Sequence, residues 1–93
     1  MKIRWTETAV RDLTGICDYI EARTGAEPAR RIAARIYIRI DALLQAPYGG
    51  RVGRVSGTRE LIFTGLPFIA IYRIRDEVIE IDRILHGAQH WPS

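Results

Sequence analysis

Hydrophobic positions along the chain follow a helical period first and a strand period afterwards. Ala9, Leu13, Ile16, Cys17 and Ile20 recur at steps of three and four, which places them on one helical face and leaves Arg11, Asp12, Asp18 and Glu21 off that stripe. Thr6 stands at the N-cap position, Glu7 suits the helix dipole, and Thr24-Gly25 ends the pattern. Gly15 weakens this helix by about 1 kcal/mol relative to alanine unless a close neighbour needs the space. A second helix is predicted from Glu27-Pro28, with Ile32, Ile36, Ile40, Leu43 and Leu44 as its buried stripe and Pro47 with Gly49-Gly50 as its close. A connection this short predicts an antiparallel helical hairpin.

Beyond the glycines the apolar runs shorten and become β-branched. Thr58 to Phe63 reads as a strand, and Phe68-Ile69-Ala70-Ile71-Tyr72 as a central strand buried on both faces. Asp76-Glu77 then separates it from a last strand, Val78 to Leu85. That pair is not a favoured turn pair, so the predicted hairpin rests on its flanking strands. Simple alternation puts Ile79, Ile81, Arg83 and Leu85 on one side of the last strand, and Val78, Glu80, Asp82, Ile84 and His86 on the other. Lys2-Ile3-Arg4-Trp5 alternates as a short edge strand. The fold class is therefore α+β: an N-terminal strand and a two-helix antiparallel hairpin packed on a small, mainly antiparallel C-terminal β-sheet, in one domain spanning 1–93.

Composition narrows the function classes. With 93 residues and 47% hydrophobic content the chain can bury one core and not two. Its net charge of +3 comes almost wholly from arginine, because Lys2 is the only lysine. Arginine offers a planar fork to phosphate or carboxylate, so nucleic acid and acidic proteins are the partners to consider beside a plainly solvated basic surface. Cys17, the only cysteine, lies on the apolar stripe as a small core residue, and no intrachain disulfide is possible. No signal sequence is expected, because Met1-Lys2 runs directly into the first strand, and Leu66 to Tyr72 is too short an apolar stretch to span a bilayer. A cytoplasmic protein without a membrane partner is expected.

Candidate chemistry sits in three places. Arg30, Arg31, Arg35 and Arg39 run along the second helix, either as a contact for acidic groups or as a solvated face held by pairs such as Arg31 with Glu27. The segment Pro47 to Gly57 is a glycine-rich basic loop, flexible or merely connecting. It lacks the lysine and hydroxyl residue of a phosphate-binding loop, leaving Arg51 and Arg54 to approach a polyanion. The C-terminal run Arg83-Ile84-Leu85-His86-Gly87-Ala88-Gln89-His90-Trp91-Pro92 gathers an arginine, two histidines and a tryptophan. Two histidines four apart in a glycine-containing loop lack the helical spacing and carboxylate of a metal site, so no metal and no cofactor are expected.

The order strand, two helices, three strands, together with Gly57-Thr58-Arg59-Glu60-Leu61, Tyr72-Arg73 and Arg83-Ile84-Leu85-His86-Gly87-Ala88, resembles the RelE/ParE superfamily of type II toxin–antitoxin toxins over the whole chain. The closing Trp91-Pro92 is most similar to the ParE-like branch. The resemblance implies a growth-inhibiting toxin in a hetero-oligomer with a small cognate antitoxin, ParD-like or RelB-like. It implies DNA gyrase as the target of a ParE-like member, or the ribosome and mRNA for a RelE-like endoribonuclease, with an inactive basic protein-interaction module as the third alternative. Target-binding residues would be Arg51, Arg54, Arg59, Arg83 and Trp91, and antitoxin-binding residues Arg31, Arg35 and Arg39. A nuclease would draw on Arg59, Glu60, Arg83, His86 and His90 to supply cations, a base and an acid, with Arg59, Arg83 and His86 or His90 converging in one cleft. RelE-like nucleases also carry an arginine within the central strand, where Ile69-Ala70-Ile71-Tyr72 supplies no charge, and this departure favours the ParE-like reading.

Overall fold

The computed structural model describes residues 1–87 and 91–92. Strand β1 (Lys2–Trp5) leads into helices α1 (Glu7–Thr24) and α2 (Ala26–Asp41), the latter tightening into a 3₁₀ turn (Ala42–Leu44). Strands β2 (Arg51–Val52), β3 (Arg59–Ile62), β4 (Phe68–Arg75) and β5 (Val78–His86) follow. They form one sheet in the order β1-β5-β4-β3-β2, with β1 parallel to β5 and the other pairs antiparallel. This is the predicted α+β arrangement, with β4 central and β1 at an edge.

Local chemistry accounts for the helix ends. The Thr6 hydroxyl accepts from the Ala9 N–H at 3.1 Å and donates to the Asp82 carbonyl at 3.0 Å, so the cap of α1 also fastens it to β5. Gly25 alone joins the helices. Its φ of 101° is open to glycine and costly for other residues, and its N–H donates to the Glu21 carbonyl at 2.9 Å. Leu44 departs from the expected stripe and is exposed. The reason is the 3₁₀ turn, whose larger rotation per residue keeps Leu43 inward and swings Leu44 out.

The helices cover one face of the sheet. Ala9 and Leu13 of α1 and Ile36 and Ile40 of α2 pack with Leu61, Phe68, Ala70, Tyr72, Ile79, Ile81 and Ile84. Cys17 lies half-buried against this core, and burial pushes its thiol pKa up. The opposite, outer face carries a smaller cluster of Ile69, Ile71 and Leu85 under Trp91.

Strict alternation in the last strand is corrected by a bulge. Ile71 faces Arg83 while Tyr72 faces Ile81, so Asp82 is the extra residue. Ile79, Ile81 and Ile84 consequently all reach the helix-side core, whereas Arg83 and Leu85 share the outer face with Ile71 and Ile69. Asp76 and Glu77 adopt φ values of 51° and 64°, the left-handed pair of a tight hairpin turn. Each costs about 1–2 kcal/mol for a non-glycine residue, offset by the long β4–β5 pairing.

The glycine-rich segment is also corrected. Arg51–Val52 pairs with Arg59 and Glu60 as edge strand β2, and the intervening turn closes through the Gly53 N–H on the Thr58 carbonyl at 2.9 Å and the Thr58 N–H on the Val55 carbonyl at 3.1 Å. Gly50 is required by close approach: a Cβ there would lie 2.8 Å from the Tyr72 hydroxyl and the Glu60 carbonyl oxygen. The buried Tyr72 hydroxyl accepts from the Gly50 N–H at 2.9 Å and donates to the Pro47 carbonyl at 2.8 Å, pinning the segment to the core.

Candidate functional site

Strand register sorts the candidate residues by face. Glu60 stands opposite Ile71, and Ile71 opposite Arg83, so these three residues share the outer face; Arg51 joins them from β2 opposite Glu60. Arg59 stands opposite Tyr72, whose ring belongs to the helix-side core, and therefore points the other way.

Glu60 organises the outer face. It is only 1% exposed, and its carboxylate accepts from Arg51 Nε at 3.2 Å, Arg51 Nη2 at 2.9 Å and the Arg54 backbone N–H at 3.1 Å. The Arg54 guanidinium adds an ion pair at 3.3 Å. Burial pushes the Glu60 pKa up, but these hydrogen bonds and both guanidinium charges outweigh it and hold the carboxyl below the usual glutamate value. A group held ionised in this way is a fastening and a poor proton carrier near neutral pH.

Arg83 and Trp91 form the second part. Asp12, from α1, accepts from Arg83 Nε at 2.8 Å and Nη2 at 3.2 Å, and also takes the Ile84 N–H at 3.0 Å, beyond the last residue paired with β1. That bond raises the Arg83 pKa further. The guanidinium carbon lies 5.8 Å from the centroid of the Trp91 ring, which rests on Ile69, Ile71 and Leu85. Arg54 reaches the Trp91 carbonyl at 3.4 Å from the other side. Among the described residues, the buried indole N–H has no hydrogen-bond partner.

The structure thus brings Arg51, Arg54, Arg83 and Trp91 together and leaves Arg59 out. Arg59 donates to the Gly50 carbonyl at 2.7 and 3.1 Å and to the Tyr48 carbonyl at 3.3 Å, with its guanidinium over the Tyr48 ring. His86 ends β5 opposite Phe68 and meets that ring edge-on at 5.9 Å. His90 lies outside the described residues. Among the described residues, Arg59 and Arg83 stand on opposite faces and do not converge in one cleft with His86.

The helix arginines have separate fates. Arg31 pairs with Glu27 at 3.8 Å, and Arg30 with the same carboxylate at 2.6 Å. Arg35 donates to the Thr64 carbonyl at 2.7 Å. Arg39 lines, with Arg35, Ile38, Phe63 and Leu66, a groove of about 310 Å³. A larger groove of about 620 Å³ runs between α1, α2 and the ends of β4 and β5, lined by Ile16, Ile20, Ile32, Phe68 and His86 among others.

Sequence reasoning missed Asp12, Arg4, Arg73 and Arg75. Arg4 and Arg75 both pair with Glu80, the latter at 3.8 Å, and Arg73 donates to Asp82 at 2.7 Å. Burial and the neighbouring Glu80 lift the Asp82 pKa against the pull of Arg73. Alternation along β4 and β5 could have placed Arg73, Arg75 and Glu80 on one face. Nothing local could have paired Asp12 with a residue so distant in sequence.

Residues 3–91 match the family described as the ParE toxin of the type II toxin–antitoxin system parDE. Y4kP of Sinorhizobium fredii, named as a candidate toxin, is 44% identical over 92 residues, covering 99% of this chain and 94% of that protein. Toxin RelE2 of Caulobacter vibrioides is 34% identical over 88 residues, covering 95% and 97%. A solved chain of the chromosomal ParDE toxin–antitoxin system from P. aeruginosa superimposes with a TM-score of 0.88 at 32% identity, over 92% of this chain and 95% of that one.

Proposed function

The chain belongs to the ParE toxin family of type II toxin–antitoxin systems, and we propose that it inhibits growth by poisoning DNA gyrase through the outer face of its sheet. The observation that carries this reading is the separation of Arg59 from Arg83 onto opposite faces. Cleavage of RNA through its 2′-hydroxyl needs a base, an acid and cations within hydrogen-bond reach of one phosphate. Here the two arginines cannot clamp one phosphate; Asp12 is bonded to Arg83 itself, and Glu60, in register with Arg83 across Ile71, is held by Arg51 and Arg54. What remains on the outer face is an aromatic anchor on an apolar floor, rimmed by guanidinium groups. That composition suits the centre of a protein interface.

The antitoxin has its own place in this reading. An amphipathic helix seated along the grooves of the helical face would meet Ile38 and Phe63 with its apolar side and Arg39 with an acidic residue. Arg39 is the freest of the three arginines expected there, since Arg31 pairs with Glu27 and Arg35 holds the Thr64 turn.

Two assays on the toxin freed of its partner test the target: gyrase supercoiling with a check for cleaved DNA, and translation with mapping of mRNA ends. Trapped gyrase–DNA breaks with intact mRNA, abolished by Trp91→Ala or Arg83→Gln, are expected. Codon-phased mRNA cuts without any gyrase effect would overturn the reading.

A further inference from the structure

Ion pairs in this protein are of two kinds. On α1 both partners stand in water, with Arg11 73% and Glu7 89% exposed. On the outer face of the sheet the acids are recessed and the guanidinium groups stand above them. The Glu80 side chain is 18% exposed beneath Arg4 at 65% and Arg75 at 70%, and the same order holds for Asp82 under Arg73 and for Glu60 under Arg51 and Arg54. A molecule approaching this face meets cations, although each of these arginines has a carboxylate partner.

We infer that the half of the outer face built from Arg4, Arg73 and Arg75 is a contact for the phosphate backbone of duplex DNA. Arg4 on β1 and Arg73 on β4 both stand in register with Glu80 on β5, between them, and Arg75 lies two residues beyond Arg73 on the same side. Three guanidinium groups therefore stand over two recessed carboxylates, Glu80 and Asp82, across three adjacent strands, spaced by about 4.8 Å between strands and about 6.8 Å along β4. Arg73 commits Nε to Asp82, and among the described residues Arg75 is held only by its 3.8 Å ion pair, so N–H groups remain for an incoming anion.

Phosphate fits this half better than a protein does. Protein interfaces centre on buried aromatic or aliphatic anchors, and no strand residue here offers an exposed one. A phosphate backbone is held by guanidinium forks alone. The inference deepens the gyrase reading and rests on it for the choice of DNA, because a poisoned gyrase holds duplex. The half around Trp91 then faces protein while this half faces nucleic acid.

The experiment is fluorescence anisotropy of a short labelled DNA duplex with the antitoxin-free protein and no gyrase, from low to physiological salt. Arg4→Gln combined with Arg75→Gln is expected to reduce the slope of log affinity against log salt by about 2, at about 0.9 for each phosphate that is no longer neutralised. Arg23→Gln combined with Arg30→Gln removes the same charge from the helical hairpin and is expected to leave the slope unchanged. Glu80→Gln removes one of the two recessed acids, leaving Asp82 with Arg73, and is expected to tighten binding. Far-UV circular dichroism of each variant checks that it is folded. Equal losses in the two double variants would mean that binding follows net charge, and would overturn the inference. So would the absence of duplex binding by the parent, weaker binding in Glu80→Gln, or tighter binding of single-stranded RNA than of the duplex. Gyrase inhibition measured in parallel separates the two claims: inhibition without DNA binding sinks this inference alone, and DNA binding without inhibition sinks the gyrase reading alone.

Discussion

Replacing Glu60 by glutamine keeps its shape and removes the charge that fastens β2 and the following turn to β3. In the parent the carboxylate receives the Arg51 guanidinium at 2.9 Å and the Arg54 N–H at 3.1 Å, whereas an amide must turn its NH2 toward one set of these donors. Breaking a fully buried pair costs about 3–5 kcal/mol, because the surviving charge is stranded. Arg51 and Arg54 are 56% and 45% exposed, so water takes over their guanidinium groups and the loss falls toward that of charge-assisted hydrogen bonds, about 1.5–3 kcal/mol. About 2 kcal/mol is expected, or a Tm lower by about 8–16 °C in a domain of this size. The pH dependence follows from the depressed carboxyl pKa. Its stabilisation is complete above the unfolded glutamate value of about 4.3 and is lost as pH falls through the lower folded value. Urea unfolding of parent and Glu60→Gln at a series of pH values reads both effects. The gap should be full at neutral pH and close progressively in acid. Equal stability at neutral pH, or a gap that does not narrow toward pH about 2, would refute the assignment of Glu60 as an ionised fastening.

Four further outcomes are expected. Tyr72→Phe strips the partners from the Gly50 N–H and the Pro47 carbonyl and should cost about 2–3 kcal/mol in chemical denaturation, an effect that a merely space-filling ring would not produce. Asp12→Asn should cost about 1–3 kcal/mol and weaken gyrase inhibition together, since the same carboxylate satisfies Ile84 N–H and orients Arg83; unchanged inhibition would remove Arg83 from the target surface. Gly15→Ala should stabilise α1 by about 0.5–1 kcal/mol in thermal melts, because among the described residues nothing lies within 4 Å of the added methyl. Arg39→Glu should weaken binding of the cognate antitoxin in calorimetry at least tenfold, about 1.4 kcal/mol, and an unchanged affinity would take the acidic contact away from α2.

Much of the architecture was legible because its signals are local. The Thr6 cap, the Gly25 break and the continuous run Phe68 to Tyr72 each report on a few neighbouring residues, and the helices and central strand form where those signals stand. Strand β2 was not legible, since two exposed residues among glycines carry no period; its pairing exists because Glu60 and Tyr72 hold the segment from the other strands. For the candidate site, Arg51, Arg54, Arg83 and Trp91 were readable as residue types, but their shared face was not. The nuclease grouping of Arg59 with Arg83 failed for a positional reason, because adjacent positions on a strand face opposite ways and register decides which of them meet.

By itself the sequence determined the element types and order, the apolar stripes, the excess of arginine and the likeness to a toxin superfamily. These depend on periodicity, capping and composition, which act over a few residues. The tertiary structure decided the bulge at Asp82 that returns Ile84 to the core, the pairing of Asp12 with Arg83, and the recessing of Glu60 and Glu80 beneath arginines. Those are properties of distant segments brought together, and an electrostatic partner is chosen by burial and distance in space, neither of which is written in the neighbouring residues.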